Sequence, residues 1–223
     1  MDLGLGYGTD YYGYRKKFAA LVPSTNTAVE HEYHQMAPAG VVVATRGCVI
    51  PPFVVTNEDE FVGMVKAIGA STEQGLRDAL TLKPDHVIFG YSAETFWDGK
   101  ERSDREFARY NEIAQEVAGC NITFGAQAIQ DALACYPGTH RIGVVSPYMP
   151  IGNTMVEKFM GDIGYEVVRM AGHSSPGPVE IAHEPFAKSR ELVRQVDGDD
   201  VDLILQAGTN LPFAPLAGVL EAE

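Results

Sequence analysis

Four short polar loops, each directly after an apolar run, hold most of the residues in this sequence that could do chemistry. The densest is Gly90–Gly99 (GYSAETFWDG), where the only Trp, two other aromatics, two hydroxyls and two carboxylates share ten residues. A loop that merely connects has little use for so many rings. Glu94 is the best candidate general acid or base, because a carboxyl group walled by aromatics is hard to ionise and its pKa rises. The competing role for Glu94 is a surface carboxylate or a partner for an arginine. Asp98 precedes Gly-Lys and reads as a turn residue.

The loop Pro23-Ser24-Thr25-Asn26-Thr27 is rich in helix N-capping side chains. The same geometry offers backbone N–H groups and an amide to an anion, so one loop can serve both ends. In Ser146-Pro147-Tyr148 a phenol directly follows a strand-like run, and Asn153 stands at the start of the next helical pattern. The fourth loop is Gly208-Thr209-Asn210-Leu211-Pro212. Neither GxxxxGK[ST] nor a GxGxxG after a strand occurs, so no nucleotide cofactor is expected. The early GLGYG precedes any strand and reads as a flexible tail.

Thiols and imidazoles add little. Cys48, Cys120 and Cys135 are widely spaced and form no CxxC, which argues against a disulfide framework or a zinc site. Cys48, after the second strand, could enter a cleft, but a lone Cys is more often a small buried hydrophobe. His31 and His34 could share a helix face, yet without an HExxH order they read as a solvated, charged face rather than a metal site. His140, His173 and His183 lie beside element ends and read as caps or surface residues. No metal is expected.

The elements that must position these loops alternate regularly. Strands are expected at Phe18–Val22, Val41–Thr45, His86–Phe89, Asn121–Phe124, Ile142–Val145, Glu166–Met170 and Leu203–Leu205. Helical patterns cover about Thr27–Met36, Asp59–Thr81, Asp104–Ala118, Ala126–Ala134, Asn153–Ile163 and Pro185–Val196. Short β-branched runs alternating with longer helices mean an α/β protein with parallel sheets. The order also repeats: HVIFGYSAETF mirrors LILQAGTNLPF, and Phe18–Gly40 mirrors Ile142–Gly164. Two pseudo-symmetric Rossmann-like halves are therefore expected, residues 1–118 and 119–205, with 206–223 returning toward the first half. The fourth loop ends close to Glu223, so a further strand and helix beyond it are an open expectation. Halves so arranged bring four strand-end loops around one cleft, where open parallel sheets bind ligands.

With 223 residues, 45% of them hydrophobic, the chain can bury a sizeable core, and its formal charge of −13 opposes nucleic-acid binding. No apolar run approaches the ~20 residues that span a bilayer. A cytoplasmic protein with no nucleic-acid or membrane partner is expected.

PSTNTAVEHEYHQMAPAGVVV, RIGVVSPYMPIGNTMVEKFMGDIGYEVV and the GTNL segment resemble the maleate isomerase and arylmalonate decarboxylase branch of the Asp/Glu racemase superfamily, from about Lys17 onward. The resemblance implies an Asp/Glu racemase-like fold, chemistry without a cofactor, a small carboxylate held between the halves, and a homo-oligomer, often a dimer. It places Asn26 as a carboxylate-binding amide, and Ser92 and Tyr148 as hydroxyls gripping a carboxylate, with Tyr91 beside them. Backbone amides around Ser92 and across Gly208, Thr209 and Asn210 would complete the pocket, and Asn153 would be a further contact. Directed donors in a dry cleft stabilise a developing enolate. The resemblance puts Gly90 and Gly208, or one residue over Tyr91 and Ala207, in the slots of the family's catalytic cysteines; none of these supplies a thiolate, so the acid–base work is expected of Glu94 with Ser92 and Tyr148. The expected function is maleate cis–trans isomerase-like. A malonate-type decarboxylase, a hydrolase or lyase that diverged after losing the thiols, or a non-catalytic small-acid binder are the alternatives.

Overall fold

The computed structural model describes residues 4, 6–51 and 54–223; Leu5 of the GLGYG segment lies outside them. β1 (Lys16–Pro23), β2 (Val41–Cys48), β3 (His86–Phe89) and β4 (Asn121–Thr123) form a parallel sheet in the order β2-β1-β3-β4. A second parallel sheet has the order β6-β5-β7, from β5 (Arg141–Ser146), β6 (Glu166–Gly172) and β7 (Leu203–Gln206). In each sheet the first strand of the half is flanked by the next two. That places the ends of β1 and β3, and of β5 and β7, in corresponding positions.

The strands read as near-continuous apolar runs because both faces are covered, as parallel sheets require. In β5, Ile142 and Val144 join the main core, while Val145 turns the other way onto Leu192, Val193 and Val196. These last belong to α7 (Phe186–Val196). In α2 (Glu58–Leu80), Phe61, Met64, Val65, Ile68, Thr72 and Leu76 recur at helical spacing and are buried. Asn57 caps this helix by accepting from the Glu60 N–H at 3.0 Å. The halves meet where α2 and α3 (Ala93–Phe96) touch α6 (Pro150–Asp162). Phe96 and Phe159 pack there with ring centroids 5.1 Å apart, and Phe61 packs against both Trp97 and Tyr148.

All seven strands and six helices lie where the apolar pattern puts them, within a few residues. α4 (Lys100–Ala118) starts at Lys100 rather than Asp104. One expected boundary is corrected: β4 hydrogen-bonds to β3, so Asn121–Thr123 belongs to the first sheet and does not open the second half. The four-residue α3, a 3₁₀ turn at Glu180–His183 and α8 (Ala214–Leu220) were not anticipated. α1 (Ala28–Met36) and α8 are tied together, because Glu32 accepts from the Phe213 and Ala214 N–H groups at the start of α8. No helix among the described residues is long and apolar enough to cross a membrane.

Candidate active site

The four strand-end loops converge on one cleft with about 470 Å³ of empty space counting its open mouth. Its polar lining is Thr25, Asn26, Tyr91, Ser92, Glu94, Tyr148 and the Gly208–Asn210 turn; its apolar lining includes Met64, Ile68, Pro178 and Ile181. Among the described residues no Lys, Arg or His lines it. An anion here must be held by neutral donors.

The central pair is Ser92 and Tyr148, both buried, with hydroxyl oxygens 2.7 Å apart. Ser92 is placed by the turn from β3 into α3, and its carbonyl accepts from the Thr95 hydroxyl at 2.8 Å. Tyr148 is fixed by its backbone N–H on the Ser146 hydroxyl at 3.1 Å and by edge-on packing against Phe61. Two hydroxyls sharing one hydrogen bond keep one proton free to donate. Burial pushes the Tyr148 phenol well up, so it acts as a donor rather than as a phenolate.

Asn26 and Thr209 join the two halves. Asn26 Oδ1 accepts from the Val29 N–H at 3.0 Å, capping α1, and Asn26 Nδ2 donates to Thr209 Oγ1 at 3.3 Å. One amide proton of Asn26 is thus left for a ligand. The Thr209 hydroxyl donates to the Gly90 carbonyl at 2.8 Å, while the backbone N–H groups of Ser92 and Thr209 make no hydrogen bond among the described residues. Asn210 is already committed. Its Oδ1 accepts from the Thr27 and Ala28 N–H groups at 3.0 and 3.4 Å, and its Nδ2 donates to the Pro178 carbonyl at 2.8 Å.

Glu94 lines the cleft with Oε2 buried and without a hydrogen-bond partner. Burial holds its carboxyl well above the usual carboxylate range; Arg102 works against this and Glu106 adds to it. Behind it lies a second, smaller pocket lined by Thr72, Tyr91, Arg102, Glu106 and Tyr110 as well as Glu94. Tyr91 faces this rear space: Thr72 gives its proton to the Ile68 carbonyl at 3.0 Å, so the Tyr91 hydroxyl donates to Thr72, also at 3.0 Å.

Several other sequence candidates fall outside the cleft. Asn153 is corrected from substrate contact to support, since Ser146 Oγ donates to its Oδ1 beneath the turn carrying Tyr148. None of the cysteines lines the cleft. Cys48 sits fully buried in the core, its thiol pushed up to about 12 by burial and then by Glu94. Cys120 is buried and Cys135 exposed. A side chain at Gly90 would begin 2.8 Å from Val22 Cγ1 and 2.9 Å from Val29 Cγ1. At Gly208 it would overlap the Pro147 ring, 2.6 Å from Cγ, on a backbone at φ +129° that L residues rarely adopt. A side chain at either position would require its neighbours to shift, and at Gly208 the backbone as well. His31 and His34 are exposed on α1, where His34 also binds the Val43 carbonyl at 3.0 Å, whereas His173 is buried rather than a surface residue. No group of three or more His, Cys, Asp or Glu among the described residues is placed to hold a metal.

Sequence reasoning missed the apolar wall and the rear pocket. Met64 and Ile68 were legible only as the buried stripe of α2, and Pro178 and Ile181 are apolar members of a connection that follows no strand-end loop pattern.

No protein-family model matches this chain, and no curated protein matches it in sequence. Solved structures do. A maleate cis–trans isomerase of Nocardia farcinica, captured with a covalently bound succinylcysteine intermediate, superposes with a TM-score of 0.81 at 18% identity, over 93% of this chain and 84% of that one. A maleate isomerase of Pseudomonas putida S16 with maleate gives 0.82 at 18% identity, over 93% and 83%. Arylmalonate decarboxylase gives 0.67 at 15% identity, over 92% and 83%. At these identities the likeness establishes architecture: the chain has the α/β fold seen in the maleate isomerases and arylmalonate decarboxylase.

Proposed function

We propose that this protein is an enzyme acting on a small malonate-type acid, decarboxylating it through an enediolate. The reading rests on one observation: a buried carboxyl, Glu94, lines the same cleft as the Ser92–Tyr148 hydroxyl pair, and among the described residues no thiol does. In this scheme one substrate carboxylate is held by the free proton of the hydroxyl pair, by Asn26 and by the amides of Ser92 and Thr209. The other leaves as carbon dioxide, its C–C bonding pair passing into the enediolate that those donors stabilise. Glu94 then gives its proton to the α-carbon and is reprotonated from solvent. One acid suffices for this, whereas inverting a centre by proton exchange needs a second group on the opposite face.

Maleate-type isomerisation is the second reading, supported by the higher structural similarity to maleate isomerases, 0.82 against 0.67. It needs a nucleophile, and the succinylcysteine of the Nocardia enzyme has no thiol to form from in this cleft.

The test is turnover of phenylmalonate, alkylmalonates and maleate, with carbon dioxide measured and products followed by NMR in heavy water. The expected result is carbon dioxide release with one deuteron at the α-carbon, lost in Glu94→Gln with acid binding retained. Conversion of maleate with no malonate turnover would install the isomerase reading. Tight binding of the acids with no turnover would make the protein a carrier.

A further inference from the structure

Between β6 and α7 the chain runs from His173 to Glu184 as a strap over the cleft, giving it Pro178 and Ile181. The strap's two ends meet. His173 Nδ1 lies 2.9 Å from Glu184 Oε2, and the two side chains are 0% and 10% exposed. The Glu184 carboxylate also accepts from the Ser175 hydroxyl at 2.7 Å and from Lys188 Nζ at 3.1 Å. On the far side of the ring, His173 Nε2 lies 3.1 Å from Ser189 Oγ.

Serine, imidazole and carboxylate in this order have the connectivity of a hydrolytic triad. Ser189, however, is 0% exposed inside α7, and none of the three lines a cleft. No substrate can reach that hydroxyl. The arrangement therefore orients: the Glu184 carboxylate lies against Nδ1, which makes no aligned hydrogen bond among the described residues, and Nε2 pairs with the Ser189 hydroxyl.

What the clasp orients is the strap. Ser174 within it holds φ +52°, a left-handed conformation uncommon outside glycine that persists when its surroundings fix it. The strap touches the site at three points. Ser175 N–H donates to the Pro147 carbonyl at 3.0 Å, Val55 N–H donates to the Pro176 carbonyl at 2.6 Å, and the Pro178 carbonyl receives Asn210 Nδ2. That last bond sets which way the Asn210 amide faces, and so which atom caps α1 beside Asn26.

We propose that His173 and Glu184 are positioning residues whose contact locks the 173–184 strap across the cleft, walling the substrate with Pro178 and Ile181 and holding Asn210 in register. The proposal rests on the cleft being the acid site, not on the reaction carried out there. Neither residue touches the reacting atoms, and Glu94 lies on α3, away from the strap. Unlocking the strap lowers the fraction of protein ready to bind, which raises the apparent Kd in proportion and leaves chemistry alone.

The experiment compares wild type with Glu184→Ala by hydrogen exchange of the 174–183 amides and by calorimetry of phenylmalonate and maleate. Faster exchange confined to the strap is expected. For whichever acid binds, Kd should rise about ten- to a hundredfold, the equivalent of losing one hydrogen bond to a charged group. Where turnover is seen, KM should rise with kcat held within about twofold. If Glu184→Ala fails to fold, Glu184→Gln keeps volume and an accepting oxygen but loses the charge, and the same readouts apply at smaller amplitude. Unchanged strap exchange overturns the proposal even if no acid binds wild type. Faster exchange with unchanged Kd, or a fall in kcat equal to the rise in KM, overturns it as well. Loss of turnover in Glu94→Gln with an intact strap bears on the reaction and not on this clasp.

Discussion

Filling the two glycine positions of the cleft loops should damage the fold before it can add chemistry. At Gly208 two costs combine. A non-glycine residue at φ +129° pays backbone strain of about 1–3 kcal/mol, and its Cβ is driven into the Pro147 ring. Forcing an extra carbon into a packed site adds about 1–3 kcal/mol. Gly208→Ala and Gly208→Cys should therefore each lose about 2–6 kcal/mol, a large share of the ~5–15 kcal/mol that holds a domain together. Gly90 meets only the second cost, because Val22 and Val29 crowd it without an unusual φ. Those valines have stiff side chains that yield poorly. Gly90→Ala should then lose about 1–3 kcal/mol and always less than Gly208→Ala. Urea unfolding followed by circular dichroism measures both, with unchanged m-values as the check that the comparison is fair. A Gly208→Cys protein within about 0.5 kcal/mol of wild type would refute the reasoning. The cleft could then seat a thiol, and the argument against thiol chemistry would fail.

Three further outcomes follow from the same geometry. Tyr148→Phe and Ser92→Ala should each weaken binding of a carboxylic acid by about ten- to a hundredfold and barely affect its neutral ester; calorimetry of both ligands checks this, and equal losses would point to disturbed packing. Changing Cys48, Cys120 and Cys135 together to Ala should leave kcat/KM within about tenfold of wild type in a folded protein, measured by steady-state kinetics. Burial holds His173 below its ordinary 6.5, with Glu184 only partly offsetting it, so the folded protein binds fewer protons there than the unfolded chain. Wild-type stability should accordingly fall as pH drops below about 6.5, and His173→Gln should flatten that fall in a series of urea melts.

The architecture was legible because parallel strands buried on both faces leave continuous apolar runs, and seven such runs punctuated by helical patterns admit few arrangements. The loops were legible for the same reason: Asn26, Ser92, Tyr148 and Thr209 each follow a strand end, and corresponding strand ends of the two sheets meet at the cleft. What failed was whatever depends on how a side chain turns after the backbone is placed. Asn153 has the right address for a ligand, yet Ser146 claims its oxygen. Tyr91 stands next to Ser92 but is drawn backward by Thr72, a hydroxyl on the buried face of α2. Asn210 looks like a spare amide until Thr27, Ala28 and Pro178 are seen to use both its ends. The strap was illegible for another reason. Pro178 and Ile181 reach the cleft only because His173 and Glu184, eleven positions apart, fold the segment back on itself.

Glu94 and the acid site must also sense one another, and this gives a test that needs no turnover. A carboxylate held by Ser92 and Tyr148 brings negative charge into the cleft that Glu94 lines, where no cation compensates it. Like charges in a buried site disfavour joint ionisation, so the bound acid favours protonated Glu94 and protonated Glu94 favours the bound acid. Where Glu94 is already protonated, binding takes up no proton and affinity is independent of pH. As pH rises through the raised pKa of Glu94, each binding event must return a proton to it, and Kd climbs toward about tenfold per pH unit. Calorimetry of phenylmalonate in phosphate and in Tris separates proton uptake from intrinsic heat, since the two buffers differ in ionisation enthalpy. Uptake should approach one proton per site on the alkaline side in wild type and vanish in Glu94→Gln. Binding with no uptake at any pH at which the protein stays folded would mean that the carboxylate lies out of reach of Glu94, and the acid–base assignment would fall with it.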